Sequence, residues 1–279
     1  MAVLRRGPSD WSQVSRWDPE AGTLQSGSWI RANLYPQRCD LSPDGRWLTY
    51  FTLRATARWA AGGTYTAVSR LPWLTALAAW GTCGTWTRGL TFADDRRTWE
   101  MGEPDEGDIE PLRQTYRLGL TFTRPAAFAV ERRRGWTESA GSPPYDRELD
   151  LWDDRRASRL TMEKPRPGVD DGSTLTVRGW YAAFRSGQPS WADATYSIVE
   201  DGRSCVLEHV QWADWDKAGR LLVATTRGRL EVRHSPWDAT AVAWSHDVAD
   251  ALPEPVAPPD IARRWDDRAD GTARRRDAT

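Results

Sequence analysis

Three short phrases in the chain share one turn chemistry: Asp44-Gly45-Arg46-Trp47-Leu48, Asp201-Gly202-Arg203 and Lys217-Ala218-Gly219-Arg220-Leu221-Leu222. Each stands at or beside an apolar or β-branched run. Glycine reaches the positive φ that a tight hairpin turn needs, and in the first two phrases an aspartate can bond its own backbone. Such turns join antiparallel neighbours, so their repetition commits the chain to repeated hairpins and an all-β fold. Trp17-Asp18-Pro19-Glu20-Ala21-Gly22-Thr23-Leu24 matches Trp215-Asp216-Lys217-Ala218-Gly219-Arg220-Leu221 in the same sense: Trp-Asp, a spacer, Gly, one residue, Leu. From Cys39 to Leu53 the chain reads as strand, Ser-Pro-Asp-Gly turn, strand, with Trp47, Thr49 and Phe51 alternating against Leu48, Tyr50 and Thr52.

Residues Leu71 to Trp80 interrupt this pattern. Pro72 suits a first helical turn, Gly81 suits the position past a helix end, and Trp73, Leu77 and Trp80 fall on one face at helical spacing, which predicts a short inserted helix. Strand signals resume around Asp94-Asp95-Arg96-Arg97 and again around Asp153-Asp154-Arg155-Arg156, two segments that read as the same hairpin used twice. Gly102 to Pro111, Gly135 to Pro144 and Pro165 to Ser173 read as loops. Many short strands with turn signals throughout predict a β-propeller-like fold of five or six blades over residues 1–251, with a two-sheet β-sandwich as the alternative. From Leu252 onward Pro, Asp and Arg dominate, so residues 252–279 are expected to form a mostly disordered tail. Five Trp-Asp dipeptides occur, but none has a Gly-His partner, so a WD-repeat assignment is not supported.

Ser42-Pro-Asp-Gly-Arg-Trp-Leu-Thr-Tyr50 resembles the inner-blade hairpins of TolB-like and peptidase-type propellers. The longer run from Arg5-Arg6-Gly7-Pro8 through Arg38-Cys-Asp-Leu-Ser-Pro-Asp-Gly45 to Tyr65-Thr-Ala-Val-Ser-Arg70 is similar to an uncharacterised family of bacterial proteins. That likeness covers the first third of the chain, and it implies bacterial origin and a repeated β fold but no activity.

Composition narrows the function classes. The formal charge is −1, from 38 basic and 39 acidic side chains spread over 279 residues, which argues against nucleic acid or an anionic membrane as partner. All the basic residues but Lys164 and Lys217 are arginine and Asn33 is the one asparagine, the signature of a GC-rich bacterial genome. Cys39, Cys83 and Cys205 form neither a disulfide framework nor a metal knuckle, and no apolar run approaches the ~20 residues of a membrane span, so a cytoplasmic location is expected.

No nucleophile elbow, phosphate loop or dinucleotide fingerprint is present, and no cofactor is expected. Gly81-Thr-Cys-Gly84 ends the predicted helix rather than opening one, and so offers no helix amides to a phosphate. Cys83, in that loop, reads as a small hydrophobe rather than a reactive thiol. His209 would share a strand face with Cys205, but two ligands without a second pair do not make a zinc site, and a structural hydrogen bond is the simpler role. The Asp94-Asp95 and Asp153-Asp154 pairs could serve a divalent ion or a propeller glycosidase, but each is followed by Arg-Arg and reads as a charged hairpin tip.

What remains is an aromatic surplus. Eighteen tryptophans exceed what a core of this size uses, and tryptophan with arginine is favoured at binding hot spots. Trp73, Trp80 and Trp86, with Arg70 and Arg88 nearby, form a dense cluster on and beside the element that breaks the β pattern, and this is the expected partner-binding surface. The competing role for Trp73 and Trp80 is to fasten the predicted helix to a sheet. The expected function is therefore a non-enzymatic protein-interaction module; the alternative is a hydrolase or lyase using propeller-mouth carboxylates on a sugar or lactone. Nucleic-acid binding through Arg132-Arg133-Arg134 and Arg274-Arg275-Arg276 is the least favoured reading, given the overall charge.

Overall fold

A computed structural model describes residues 1–53, 63–82, 90–92, 99–101, 110–111, 129–140, 158–181 and 190–264. The first sheet holds β1 (Ala2–Arg6), β2 (Trp11–Asp18) and β3 (Thr23–Arg31) in sequential antiparallel order. The second holds β4 (Asn33–Leu34), β5 (Asp40–Leu41), β6 (Trp47–Leu53), β7 (Thr64–Arg70) and β8 (Ala78–Thr82). A two-stranded ribbon follows, β9 (Leu90–Phe92) with β10 (Trp99–Met101), and β11 (Glu110–Pro111) returns to pair with β8. After a one-turn helix α1 (Ala129–Arg133) come two further sheets. One is β12 (Thr137–Glu138), β13 (Ser158–Pro165), β14 (Thr174–Tyr181), β15 (Ser190–Glu200) and β16 (Arg203–Val206). The last is β17 (Val210–Trp215), β18 (Leu221–Thr225), β19 (Arg229–Arg233) and β20 (Val242–Asp247).

The period of two along each strand decides how these sheets stack. In β1, Ala2 and Leu4 face the core shared with β6 and β7, whereas Val3 faces the one shared with β18 and β19. In β6, Leu48 and Tyr50 turn towards the first sheet, while Trp47 turns towards Leu90 and Phe92 of the ribbon. In β18, Leu222 meets Trp17 of the first sheet and Leu221 and Val223 meet Met162, Leu175 and Ile198 of the β12–β16 sheet. The second, first and last sheets are thus apolar on both faces, and the sheets stack as ribbon, second, first, last and third. α1 joins the two ends: Arg133 donates to the carbonyl of Phe92, and Trp136 packs in the core of the third sheet. The result is a β-propeller rather than a sandwich.

The described residues form four sheets of three or more strands plus the ribbon, against the five or six blades expected. The hairpin turns stand where the sequence puts them. Gly45, Gly202 and Gly219 have φ of 71°, 75° and 73°, and Gly22 has 62°. The ribbon ladder pairs Trp99 with Phe92 around the Asp94–Arg97 tip, which itself lies outside the described residues, as does Asp153–Arg156.

The predicted helix at Leu71–Trp80 is not there. Residues 71–77 form a turn and loop, and β8 starts at Ala78. The loop is held by a distant strand: the Ser28 amide donates to the Pro72 carbonyl at 3.0 Å, and the Ser28 hydroxyl accepts from the Leu74 amide at 3.1 Å. Of the expected tail, residues 252–264 run without strand to a 3-10 turn at Asp260–Arg263 whose Ala262 has no exposure, and residues 265–279 lie outside the described residues. Among the described residues no helix is long and apolar enough to cross a membrane.

Candidate partner-binding surface

Arg70 is the residue around which the surface is built. It ends β7, and the β6–β7 ladder sets it opposite Trp47, so its guanidinium carbon lies 4.6 Å from that ring's centroid. The Asp44-Gly45-Arg46 turn leads into Trp47 and brings a second guanidinium to the same corner. Asp44 organises that turn: its carboxylate accepts from the Ser42 hydroxyl at 2.6 Å, the Arg46 amide at 3.2 Å and the Arg46 Nε at 2.6 Å. Burial alone would raise the Asp44 pKa, but the bonds from Ser42 and Arg46 outweigh it and hold the carboxyl below its ordinary value. A third arginine arrives from the first sheet, where Arg16 of β2 donates from Nη2 to the Gly45 carbonyl at 3.0 Å.

Arg16, Arg46 and Arg70 therefore converge from three elements of two blades, with Asp44 among them. Burial lowers the Arg70 pKa, the charges of Arg46 and Arg16 lower it further, and Asp44 opposes them. The Arg46 side chain is 41% exposed. Trp73 follows directly, its amide donating to the Arg70 carbonyl at 2.7 Å, and its ring is half-buried. The corner thus offers three guanidinium groups on one small area, with the partly exposed Trp73 close by in the chain, a combination suited to a carboxylate-rich partner segment.

The structure brings together only part of the predicted cluster. Arg70 and Trp73 adjoin. Trp80 does not reach the surface; at 2% exposure it is core, packed with Trp47, Val68, Leu90 and Phe92 between the second sheet and the ribbon. It fastens one blade to the next, which is the packing role with a strand in place of the helix. Trp86 and Arg88 lie outside the described residues. Arg16 and Arg46 were missed because nothing local in sequence shows that β2 and the Asp44 turn meet; the Gly-Arg step of the turn phrase was the available signal.

Among the described residues several buried carboxylates are paired with cations, whereas the Asp94-Asp95 and Asp153-Asp154 pairs invoked by the enzyme alternative lie outside them. Asp40 of β5, its side chain fully buried, accepts from Arg133 Nη2 on both oxygens at 2.6 Å, from the Phe92 amide at 2.8 Å and from the Leu41 amide at 2.8 Å. Arg132, largely exposed, pairs with Glu138 at 2.7 Å, so of the α1 arginines only Arg133 is turned into the protein. Lys164 reaches Asp214 at 2.6 Å, and Glu231 takes Arg233 Nη2 at 2.7 Å. Burial raises the Asp214 pKa, with Lys164 opposing, and burial and the charge of Asp214 raise that of Tyr196.

His209 does not share a strand with Cys205: it sits with φ of 59° in the connection between β16 and β17, exposed. Among the described residues no group of three or more His, Cys, Asp or Glu is placed to hold a metal ion. Burial pushes the Cys39 thiol up to about 12, so it is protonated at neutral pH. Cys83 lies outside the described residues. Comparison with protein-family models and with curated proteins gives no match to this chain.

Proposed function

We propose that the protein is a non-enzymatic bacterial binding module of the cytoplasm, a β-propeller that takes an acidic segment of a partner protein on the corner formed by Arg16, Arg46, Arg70 and Trp73. The convergence of the Arg16, Arg46 and Arg70 guanidinium groups is the observation that carries this reading. Arginine and tryptophan are the side chains on which interface energy concentrates, and opposite charge steers the encounter. The hydrolase or lyase alternative gains no support from the buried carboxylates Asp40, Asp214 and Glu231, each bonded to a cation at 2.6–2.7 Å, and the Asp94-Asp95 and Asp153-Asp154 pairs on which it rests lie outside the described residues.

The test is affinity capture from host lysate by the wild-type chain and by the Arg46→Glu and Trp73→Ala variants, each first checked for unchanged melting temperature. A stoichiometric protein partner held by the wild type and lost by both variants is expected. Capture of the same partner by both variants, or of none by the wild type, would refute the reading.

A further inference from the structure

We propose that residues 252–259, Leu-Pro-Glu-Pro-Val-Ala-Pro-Pro, form a second and independent docking element, a ligand for a partner domain that reads proline-rich segments in an aromatic-lined groove. The segment follows β20 and is gripped at both ends. Upstream, Arg5 of β1 donates to the carbonyls of Ala249 at 2.5 Å and Ala251 at 2.8 Å. Downstream, the Ala262 amide donates to the Pro259 carbonyl at 2.9 Å, and the buried Ala262 seats the 3-10 turn against the second sheet.

Between these grips no backbone hydrogen bond joins residues 252–258 to any described residue. Every position from 252 to 259 except Val256 is a proline or precedes one. Proline fixes φ near −65°, removes the amide donor and drives its predecessor to extended backbone, so the segment has little choice but polyproline II; Pro259 itself has φ of −66° and ψ of 162°.

That conformation repeats every three residues, which lines Leu252, Pro255 and Pro258 along one ridge. The ridge carries large exposed apolar surface: Leu252 is 74% exposed, and Val256 beside it is 43% exposed. Pro255-Val-Ala-Pro258 has the spacing that proline-reading grooves accept. Because both ends are already held, binding would cost little ordering entropy. The element is separate from the arginine corner: on the β1–β2 ladder Arg5 pairs with Gln13, whereas Arg16 pairs with Ala2 at the other end.

The experiment titrates a panel of purified SH3 and WW domains into the full chain by calorimetry, using the wild type and the Leu252→Asp, Pro255→Ala and Arg46→Glu variants. None of these changes touches the grips at Arg5 or Ala262. The expected result is saturable binding by at least one domain, weakened at least tenfold by Leu252→Asp and by Pro255→Ala, with melting temperature and the Arg46→Glu affinity unchanged. Absence of binding across the panel, or binding that survives both strap substitutions, would overturn the proposal, whatever becomes of the arginine corner.

Discussion

Asp40 shows how much one side chain can hold here. It is fully buried, and its carboxylate accepts from the Leu41 amide of β5, the Phe92 amide of the ribbon, Arg133 of α1 on both oxygens and, at 3.4 Å, Arg134, the two arginines lying 93 and 94 positions away in the chain. A buried ion pair adds little net stability over an apolar substitute, but removing one partner strands the other charge, at a cost of about 3–5 kcal/mol. Asp40→Ala is therefore expected to lower the unfolding free energy by about that much in urea titration, and the loss should shrink when Arg133 is also replaced by Met. A loss under about 1 kcal/mol would show that the contact carries little. None of this was legible in sequence. A single aspartate before Leu41 has no pattern, while the carboxylate pairs that the sequence does display, Asp94-Asp95 and Asp153-Asp154, lie outside the described residues. Within the predicted site, Arg70 and Trp73 could be found from density of Trp and Arg, but Trp80 could not be told from a core residue, because burial depends on where the ribbon packs.

At the scale of elements, the turns were the legible part. Asp216 repeats what Asp44 does: one carboxylate oxygen accepts from the Ala218 and Arg220 amides at 2.9 and 2.8 Å, and the other takes the Arg220 Nε at 2.6 Å. This is local chemistry, contained within five residues, so the sequence displays it. The Leu71–Leu77 loop is the opposite case, since its conformation is imposed by β3 from more than forty positions away. Gly27 makes that contact possible. A Cβ there would lie 1.9 Å from the Pro72 carbonyl oxygen and 2.7 Å from that of Val14, both backbone atoms with little room to yield. Gly27→Ala is accordingly expected to cost about 3 kcal/mol, at the upper end of ordinary overpacking, and to lower the melting temperature by roughly 6–12 °C for a chain of this size. A melting temperature within about 2 °C of wild type would mean that β3 and the loop separate freely.

For the whole molecule, the joint between the first and last blades matters most, because a ring of stacked sheets is only as closed as that joint. Trp17, 1% exposed, packs there with Leu222, Leu230 and Val232 and stacks on Trp244 with centroids 5.6 Å apart. The Arg220 guanidinium donates across the same joint to the Pro19 carbonyl at 3.1 Å. Alternating apolar strands predicted a repeated fold, but blade number did not follow, since sheets of two to six strands share no fixed sequence period. Charge behaves the same way: a chain of net charge −1 carries a local cluster of arginines that composition averages away. Binding of acidic protein segments by this cluster can be read by calorimetric titration of a ten-residue glutamate peptide into the wild type and Arg46→Glu at two salt concentrations. Saturable binding that weakens severalfold between 50 and 200 mM salt and is lost in Arg46→Glu is expected, whereas no binding, or equal binding by the variant, would refute an acidic-segment site at this corner.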